Sequence, residues 1–345
     1  MIIDFHVHTF PEKISKKVLR KLGIAAHIRY YTEGSEKSLA ESMKKAGIDY
    51  SVIQTVATNV PQVEKLNHQL VERQEELQAK GLKPFGGFHP DYGLLTEHSV
   101  LRDTPESIAS YRQKVSKEMH YLKSHGIKGI KLHPAYQGVA IDSPAMMQII
   151  DLASCYDLIT LVHAGIDIGI YDKNYASVDQ LIHVIDTIHP KKLILAHMGN
   201  WGLWDQVESD LAGAPVFFDT SFSLGKLRPS KDLLQDGSEI KDGITLDDQR
   251  DHSFDLPSTP SDIPTKEEYT LTDGRLLAPP ILKTNLSPED FTRLCRKHGT
   301  DHILFGTDSP WEDQEEYLRW TRQSGLNNQE LTAILGENAK KLLDL

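Results

Sequence analysis

Short apolar runs recur along the chain and alternate with segments of helical periodicity. Eight runs rich in β-branched and aromatic residues predict strands at residues 1–8, 50–57, 83–89, 126–133, 157–163, 191–197, 214–220 and 301–308. Between them, apolar residues recur at helical spacing, most clearly at residues 63–80, 144–156 and 178–189. Strands that alternate with helices favour a parallel sheet with crossover helices.

An eightfold alternation of this kind fits a closed (β/α)8 barrel of the TIM type better than an open sheet. The glycine fingerprint of dinucleotide-binding open sheets is missing from the sequence. The first predicted strand begins at residue 1, and residues 327–345 form a closing helical pattern. We therefore expect residues 1–345 to form a single barrel domain.

One segment departs from the alternation. Residues 231–270 carry eleven Asp or Glu against four Lys or Arg, a net charge of −7, with several prolines and little periodicity. We interpret residues 226–285 as an acidic insertion between the seventh and eighth strands. A connection that leaves the end of a barrel strand lies on the active-site face, so the insertion is either a lid or a loop without a role in function.

The composition narrows the classes of partner. A formal charge of −11 and the lack of a basic cluster exclude nucleic acid and anionic membranes as expected partners, which leaves a small-molecule substrate. No apolar run approaches the roughly 20 residues that span a bilayer, and the first residues do not resemble a secretory signal. We expect a cytoplasmic protein, and the sequence leaves open whether it forms a homo-oligomer.

Ligand-type side chains stand at the ends of several predicted strands. His6 and His8 close the first strand, and the side-chain period of two places both on one side. The chain has sixteen histidines, so this pair alone is weak evidence. Three further residues end the fifth, sixth and eighth strands: His163, His197 and Asp308. Strand ends converge over the mouth of a barrel, which predicts one shared metal site.

Other strand-end residues are candidates for contact with the substrate. Lys131 and His133 lie two apart at the end of the fourth strand and share a face. Lys131 could hold a substrate carboxylate or form an ion pair within the protein. His89 either lines the pocket or caps a turn before Pro90, and Trp311 follows Asp308 closely enough to reach the pocket.

Five motifs together resemble the amidohydrolase superfamily, in its amidohydrolase-related branch of barrel metal hydrolases and decarboxylases. They are HVH (6–8), IKLHP (130–134), VHAG (162–165), AHMGN (196–200) and FGTDSPW (305–311), and the resemblance covers nearly the whole chain outside the insertion. It implies that metal is bound by His6, His8, His163 and Asp308. It also implies that His197 is either a second-site ligand or a catalytic electrophile.

The resemblance bears on the number of metals as well. Some members of the superfamily carry a carboxylated lysine at the position of Lys131, where it bridges two metals, with His197 on the second one. We favour a single metal. Imidazole nitrogens with one carboxylate suit Zn²⁺ best, and Mn²⁺, Fe²⁺, Co²⁺ and Ni²⁺ accept the same ligands.

The expected function is metal-dependent hydrolysis of an amide, a cyclic amide or a lactone. In this hypothesis Asp308 accepts a proton from metal-activated water, and His197 stabilises the developing oxyanion. The first alternative is non-oxidative decarboxylation of a small aromatic or unsaturated carboxylic acid, because the same ligands serve both reactions. The second is a barrel that binds a ligand without metal, which the complete ligand set argues against.

Overall fold

The computed structural model describes residues 1–26, 28–94, 100–170, 173–225 and 285–345. Its eight strands each overlap one predicted run: β1 Ile3–Val7, β2 Tyr50–Gln54, β3 Leu82–Gly87, β4 Gly129–Leu132, β5 Ile159–Val162, β6 Leu193–Leu195, β7 Phe217–Asp219 and β8 Ile303–Leu304. Apart from Asn285, the predicted insertion lies outside the described residues. The organisation as a single domain stays a prediction.

The strands form one parallel sheet in which each strand pairs with the next along the chain. Backbone hydrogen bonds also join β8 and the segment after it to β1. The amide of Phe5 donates to the carbonyl of Phe305 at 2.7 Å, and the amide of Asp308 donates to the carbonyl of His6 at 2.8 Å. The predicted (β/α)8 barrel is therefore confirmed.

Helices follow most strands, as the periodicity predicts. In chain order they are α1 Glu12–Ala25, α2 Glu36–Ala46 and α3 Gln62–Glu72, followed by Gln74–Ala79, Pro105–Ser124, Pro134–Gln137, Pro144–Cys155, Val178–Ile188, Trp204–Gln206, Pro288–His298, Gln314–Arg322, Asn328–Thr332 and Asn338–Leu343. The single helix predicted over 63–80 is two helices, because Arg73 departs from helical geometry at φ −104° and ψ 8°. Within the described ranges, none of the helices combines the length and apolar character needed to cross a membrane.

The hydrophobic core has two parts. The larger part fills the space between the strands and the surrounding helices. The smaller part fills the barrel itself with side chains such as Phe5, Phe85, Leu161 and Leu304, and the last helix closes it with Leu342 and Leu343. Apolar residues thus fill the lower barrel, and polar side chains at the strand ends lie above them.

Asp4 connects β1 to the segment that follows β8. Its buried carboxylate accepts hydrogen bonds from the amide and the hydroxyl of Thr307, at 2.9 and 2.6 Å, and from Nε2 of Gln314 at 2.7 Å. Asp308 comes next in the chain and has φ +67°, in the left-handed region that is unfavourable for residues other than glycine. The contacts of Asp4 therefore anchor the backbone beside the strained residue.

Replacing Asp4 by alanine should lower the free energy of unfolding by about 2–4 kcal/mol, because three buried donors lose their acceptor. Urea denaturation of the purified protein measures the change. Asp301→Ala is the matched control, since the Asp301 side chain is 75% exposed and its removal should cost less than about 0.5 kcal/mol. Equal losses in the two variants would contradict the role given to Asp4.

Candidate metal centre

A cavity of about 780 Å³ opens at the C-terminal ends of the strands. Most of the histidines and carboxylates singled out in the sequence line its polar end, together with one residue that was not singled out: His6, His8, His133, His163, His197, Asp308 and Asp167. Trp311 lines it too. The structure therefore shows the predicted convergence of strand ends, which meet at this cavity.

Two of the predicted substrate contacts are not among the described residues that line this cavity. His89 is buried, and its Nδ1 accepts a hydrogen bond from the amide of Asp91 at 3.2 Å, which caps the short 3-10 helix Pro90–Gly93. Lys131 is buried within the barrel, with Nζ 3.3 Å from Nε2 of His6. Burial lowers the pKa of Lys131 to about 8.

The ring orientations of His6 and His8 are set by acceptors behind them. Nδ1 of His6 lies 2.9 Å from the Asp219 carboxylate, and Nδ1 of His8 lies 3.0 Å from the carbonyl oxygen of Gln54. Neither acceptor carries a hydrogen, so each Nδ1 bears the ring proton and donates it. In the neutral form of each ring, Nε2 is then left with its lone pair, as in histidines that bind metal.

Those two lone pairs face a third acceptor. Oδ1 of Asp308 lies 3.2 Å from Nε2 of His8 and 3.5 Å from Nε2 of His6. Among the described residues this buried atom has no hydrogen-bond donor. Burial, with a contribution from the charge of Lys131, lowers the pKa of His6 well below its usual value, which keeps the ring neutral. With neutral rings the three atoms are all electron-pair donors, and Nζ of Lys131, 3.3 Å from Nε2 of His6, is the positive charge beside them, so the donor set fits a divalent metal.

His163 belongs to a second group of potential ligands, with His133 and Asp167. Its Nδ1 is 3.0 Å from Nε2 of His197, whose own Nδ1 is 3.0 Å from the carbonyl oxygen of Ser221. His197 must donate to that carbonyl, so its Nε2 accepts the proton of His163. Nε2 of His163 therefore keeps its lone pair, and this buried atom has no hydrogen-bond partner among the described residues.

The tautomer of His133 gives the second group of potential ligands a different chemistry from the first group. Nδ1 of His133 accepts from the backbone amide of Tyr136 at 3.4 Å, so the ring proton is on Nε2. That proton faces Asp167, with 3.5 Å between Nε2 and Oδ2. The ring also stacks on His163 with centroids 4.2 Å apart. In this arrangement Nε2 of His133 is a hydrogen-bond donor. Nε2 of His163 is then the ring nitrogen of the second group whose lone pair is available to a metal.

His197 is held on all sides in a strained conformation. Its φ is +59°, its backbone amide donates to Asp219 at 3.1 Å, and its carbonyl accepts from the indole of Trp204 at 2.9 Å. Burial lowers the pKa of the ring, which is therefore neutral. Since both ring nitrogens have partners within the protein, these contacts suit a residue that orients His163.

Several residues of the centre were not predicted. Gln54 and Asp219 end β2 and β7, so the strand-end argument that identified the other ligands would also have found them. Asp167 lies in the loop after β5, four residues beyond His163. Ser221 contributes through its carbonyl oxygen and through Oγ, which is 3.0 Å from Nδ1 of His6. A backbone acceptor of this kind leaves no signal in a sequence.

Comparison with solved structures supports the predicted fold. It supports the predicted resemblance only as far as the fold is concerned. A protein described as amidohydrolase II has 15% identity and a TM-score of 0.56, and the match covers 100% of both chains. A dihydroxybenzoic acid decarboxylase from Polaromonas, determined with manganese and an inhibitor, has 12% identity and a TM-score of 0.56, covering 100% of this chain and 97% of the other. A protein from Acinetobacter baumannii described as a 2-pyrone-4,6-dicarboxylic acid hydrolase has 14% identity and a TM-score of 0.53, covering 100% and 99%.

No family model and no curated protein matches the chain. The structures that share its fold include proteins described as a hydrolase, a decarboxylase and an amidohydrolase. At these identities the likeness shows that this chain has the same barrel.

Proposed function

We propose that this chain is a metal-dependent hydrolase that acts on an amide, a cyclic amide or a lactone of a small molecule. His6, His8 and Asp308 would hold the metal, and Nε2 of His163 would be the fourth ligand. The observation that carries the proposal is the convergence of the two lone-pair nitrogens on Oδ1 of Asp308, at 3.2 and 3.5 Å. Zn²⁺ suits these ligands best.

When bound, a divalent metal at this site supplies Lewis acidity and lowers the pKa of water toward neutrality. Asp308 then accepts the proton of the attacking water and returns it to the leaving group. Burial raises the pKa of Asp308, but positive charge at the positions of His6 and His8 brings it below its ordinary value, and with both rings neutral the bound metal would supply that charge. The carboxylate is therefore ionised at neutral pH and can accept the proton.

The remaining polar groups of the cavity have positioning roles in this proposal. His197 fixes the tautomer of His163 through the 3.0 Å contact between Nε2 and Nδ1. The role as oxyanion donor predicted for His197 would need a free N–H, so it stays a prediction. His133 and Asp167 line the cavity and offer a donor and an acceptor to the substrate.

The second candidate is non-oxidative decarboxylation of a small aromatic or unsaturated carboxylic acid. It is favoured by the shared fold of the dihydroxybenzoic acid decarboxylase that contains manganese. A screen of amides, lactones and aromatic carboxylic acids on zinc- and manganese-loaded protein tests both candidates. Release of CO₂ would support the decarboxylase, and ring opening or release of an amine would support the hydrolase. No metal-dependent turnover of any of these classes would contradict both.

His6→Ala and His163→Ala should each lose metal, because each removes one ligand nitrogen. Asp219→Asn should weaken metal binding by about 10- to 100-fold, since the partner that orients His6 is lost while the ligand itself remains. Metal content after dialysis against a chelator-free buffer, and competition with a chromogenic chelator, measure both effects. His298→Ala is the control, because His298 is a buried histidine bonded to the carbonyl of Val216, not to the centre. Full metal content in His6→Ala would reject the site.

Asp308→Asn should reduce turnover by at least about 100-fold at saturating metal, because an amide coordinates through oxygen but cannot accept a proton. The rate is measured with the best substrate of the screen, over a titration with added Zn²⁺. Recovery of the full rate at high metal would show that Asp308 is a ligand without a role in proton transfer. Failure to recover is the expected result.

Substitution of Lys131 tests the number of metals that each chain binds. Its Nζ lies 3.3 Å from Nε2 of His6, and we propose that it stays an ammonium and that each chain binds one metal. Lys131→Met should leave a stoichiometry of one metal, whereas loss of a second equivalent would show a bridging, carboxylated lysine. Metal analysis of both proteins, prepared with bicarbonate present, decides between these outcomes.

A further inference from the structure

The cavity does not end at the metal centre. It continues between α1 and α3, where five aliphatic side chains line it: Ile14, Val18, Leu22, Leu66 and Leu70. We call these five residues the apolar trough. The trough and the metal ligands belong to one continuous cavity of about 780 Å³, which lies in the upper part of the range for small-molecule sites.

Helix α1 carries two separate rows of side chains along its length. One row, with Ser15, Leu19 and Gly23, is buried. The other row contains Ile14, Val18 and Leu22, which are spaced four residues apart and therefore share a face.

Those three side chains are less buried than Leu19, since Ile14 is 48% exposed and Val18 and Leu22 are partly exposed. Folding therefore leaves part of this apolar row open to the cavity that it lines. A ligand that contacts the row in the cavity would remove this surface from water.

Helix α3 forms the opposite wall. Its buried residues Val63 and Asn67 face the barrel, and Leu66 and Leu70 line the cavity one turn apart. The lining residues of this wall run from Gln62 to Arg73, about 16 Å along the helix.

The α3 wall also carries polar and charged residues, since Gln62, Lys65 and Gln69 line it beside the two leucines. The guanidinium of Arg73 at its far end is bonded to the carboxylates of Glu36 and Glu76, at distances of 2.7 to 3.2 Å. A ligand that follows the trough away from the metal therefore meets an aliphatic row on α1 and a mixed aliphatic and polar wall on α3.

We propose that the substrate carries a linear aliphatic chain that lies in the apolar trough while its reacting group lies at the metal centre. This inference rests on the proposed metal-dependent function. A small aromatic acid or lactone would occupy the metal end and leave the trough in contact with water. A linear acyl or alkyl chain matches the length of the trough and its five aliphatic side chains, and burial there removes each methylene from water.

Alkyl hydroxamates provide the probe, because the hydroxamate group chelates a divalent metal and the chain length varies independently. Dissociation constants are measured by calorimetry on the zinc-loaded full chain, from acetohydroxamate to dodecanohydroxamate. Affinity should rise about fourfold for each added methylene until the trough is filled. Equal affinity across the series, or a decline for longer chains, would overturn the proposal.

Val18→Asn and Leu22→Asn should flatten this dependence and weaken binding of dodecanohydroxamate by about tenfold or more, with little change for acetohydroxamate. Because both side chains are only partly buried, both variants should stay folded, and their thermal unfolding is compared with that of the wild type. Lys17→Asn is the matched control, since Lys17 lies on α1 at an exposed position outside the cavity lining. A loss of the same size in the control would contradict the assignment of the trough.

The corresponding alkyl amides, which lack the chelating group, separate this inference from the proposed function. If amides and hydroxamates show the same rise with chain length and metal makes no difference, the trough stands and the metal centre is wrong. If hydroxamates bind in a metal-dependent way that ignores chain length, the metal centre stands and the trough is wrong. The second result is also expected if another part of this chain covers the trough.

Discussion

The carboxylate of Asp219 is the contact on which the rest of the centre depends. It accepts from Nδ1 of His6 at 2.9 Å, from the backbone amides of His197 and Ser221 at 3.1 and 3.0 Å, and from the hydroxyl of Ser221 at 2.5 Å. One buried group at the end of β7 thus fixes a ligand tautomer on β1 and the strained backbone after β6. Because it is saturated by these donors, it does not compete with the ligands for a cation.

Closure of the barrel is the second constraint on the geometry of the centre. His6 and Asp308 are far apart in the sequence, and they meet because β8 is hydrogen-bonded to β1 and because Asp4 holds Thr307. The backbone bond from the amide of Asp308 to the carbonyl of His6 brings the two ligands together directly, at 2.8 Å. The positive φ of Asp308 is tolerable only in such a fixed environment, which links the stability of the closure to the geometry of the site.

The sequence was sufficient for the architecture and for most of the side chains that gather at the barrel mouth, because both follow from local periods, but it also predicted His89 and Lys131 there and missed Asp167. The alternation of strands and helices predicted eight strands, and the strand-end positions of His163 and Asp308 predicted their convergence. The orientation of the rings could not be predicted in the same way. The partner of His6 is 213 residues away in the sequence, and the partner of His197 is a backbone carbonyl. The break at Arg73 was also missed, because apolar periodicity continues across it.

The row formed by Ile14, Val18 and Leu22 shows why a helical pattern alone does not reveal a binding surface. Two adjacent rows on α1 are visible in the sequence, and only packing shows that Leu19 and its neighbours meet the core. An aliphatic chain held by the outer row would be bound equally well before and during the reaction, so its burial would lower KM without raising kcat. It would still place the reacting group in front of Asp308, since the far end of the chain is fixed between α1 and α3. The metal ligands would then determine the reaction, and the two helices would determine which molecules reach it.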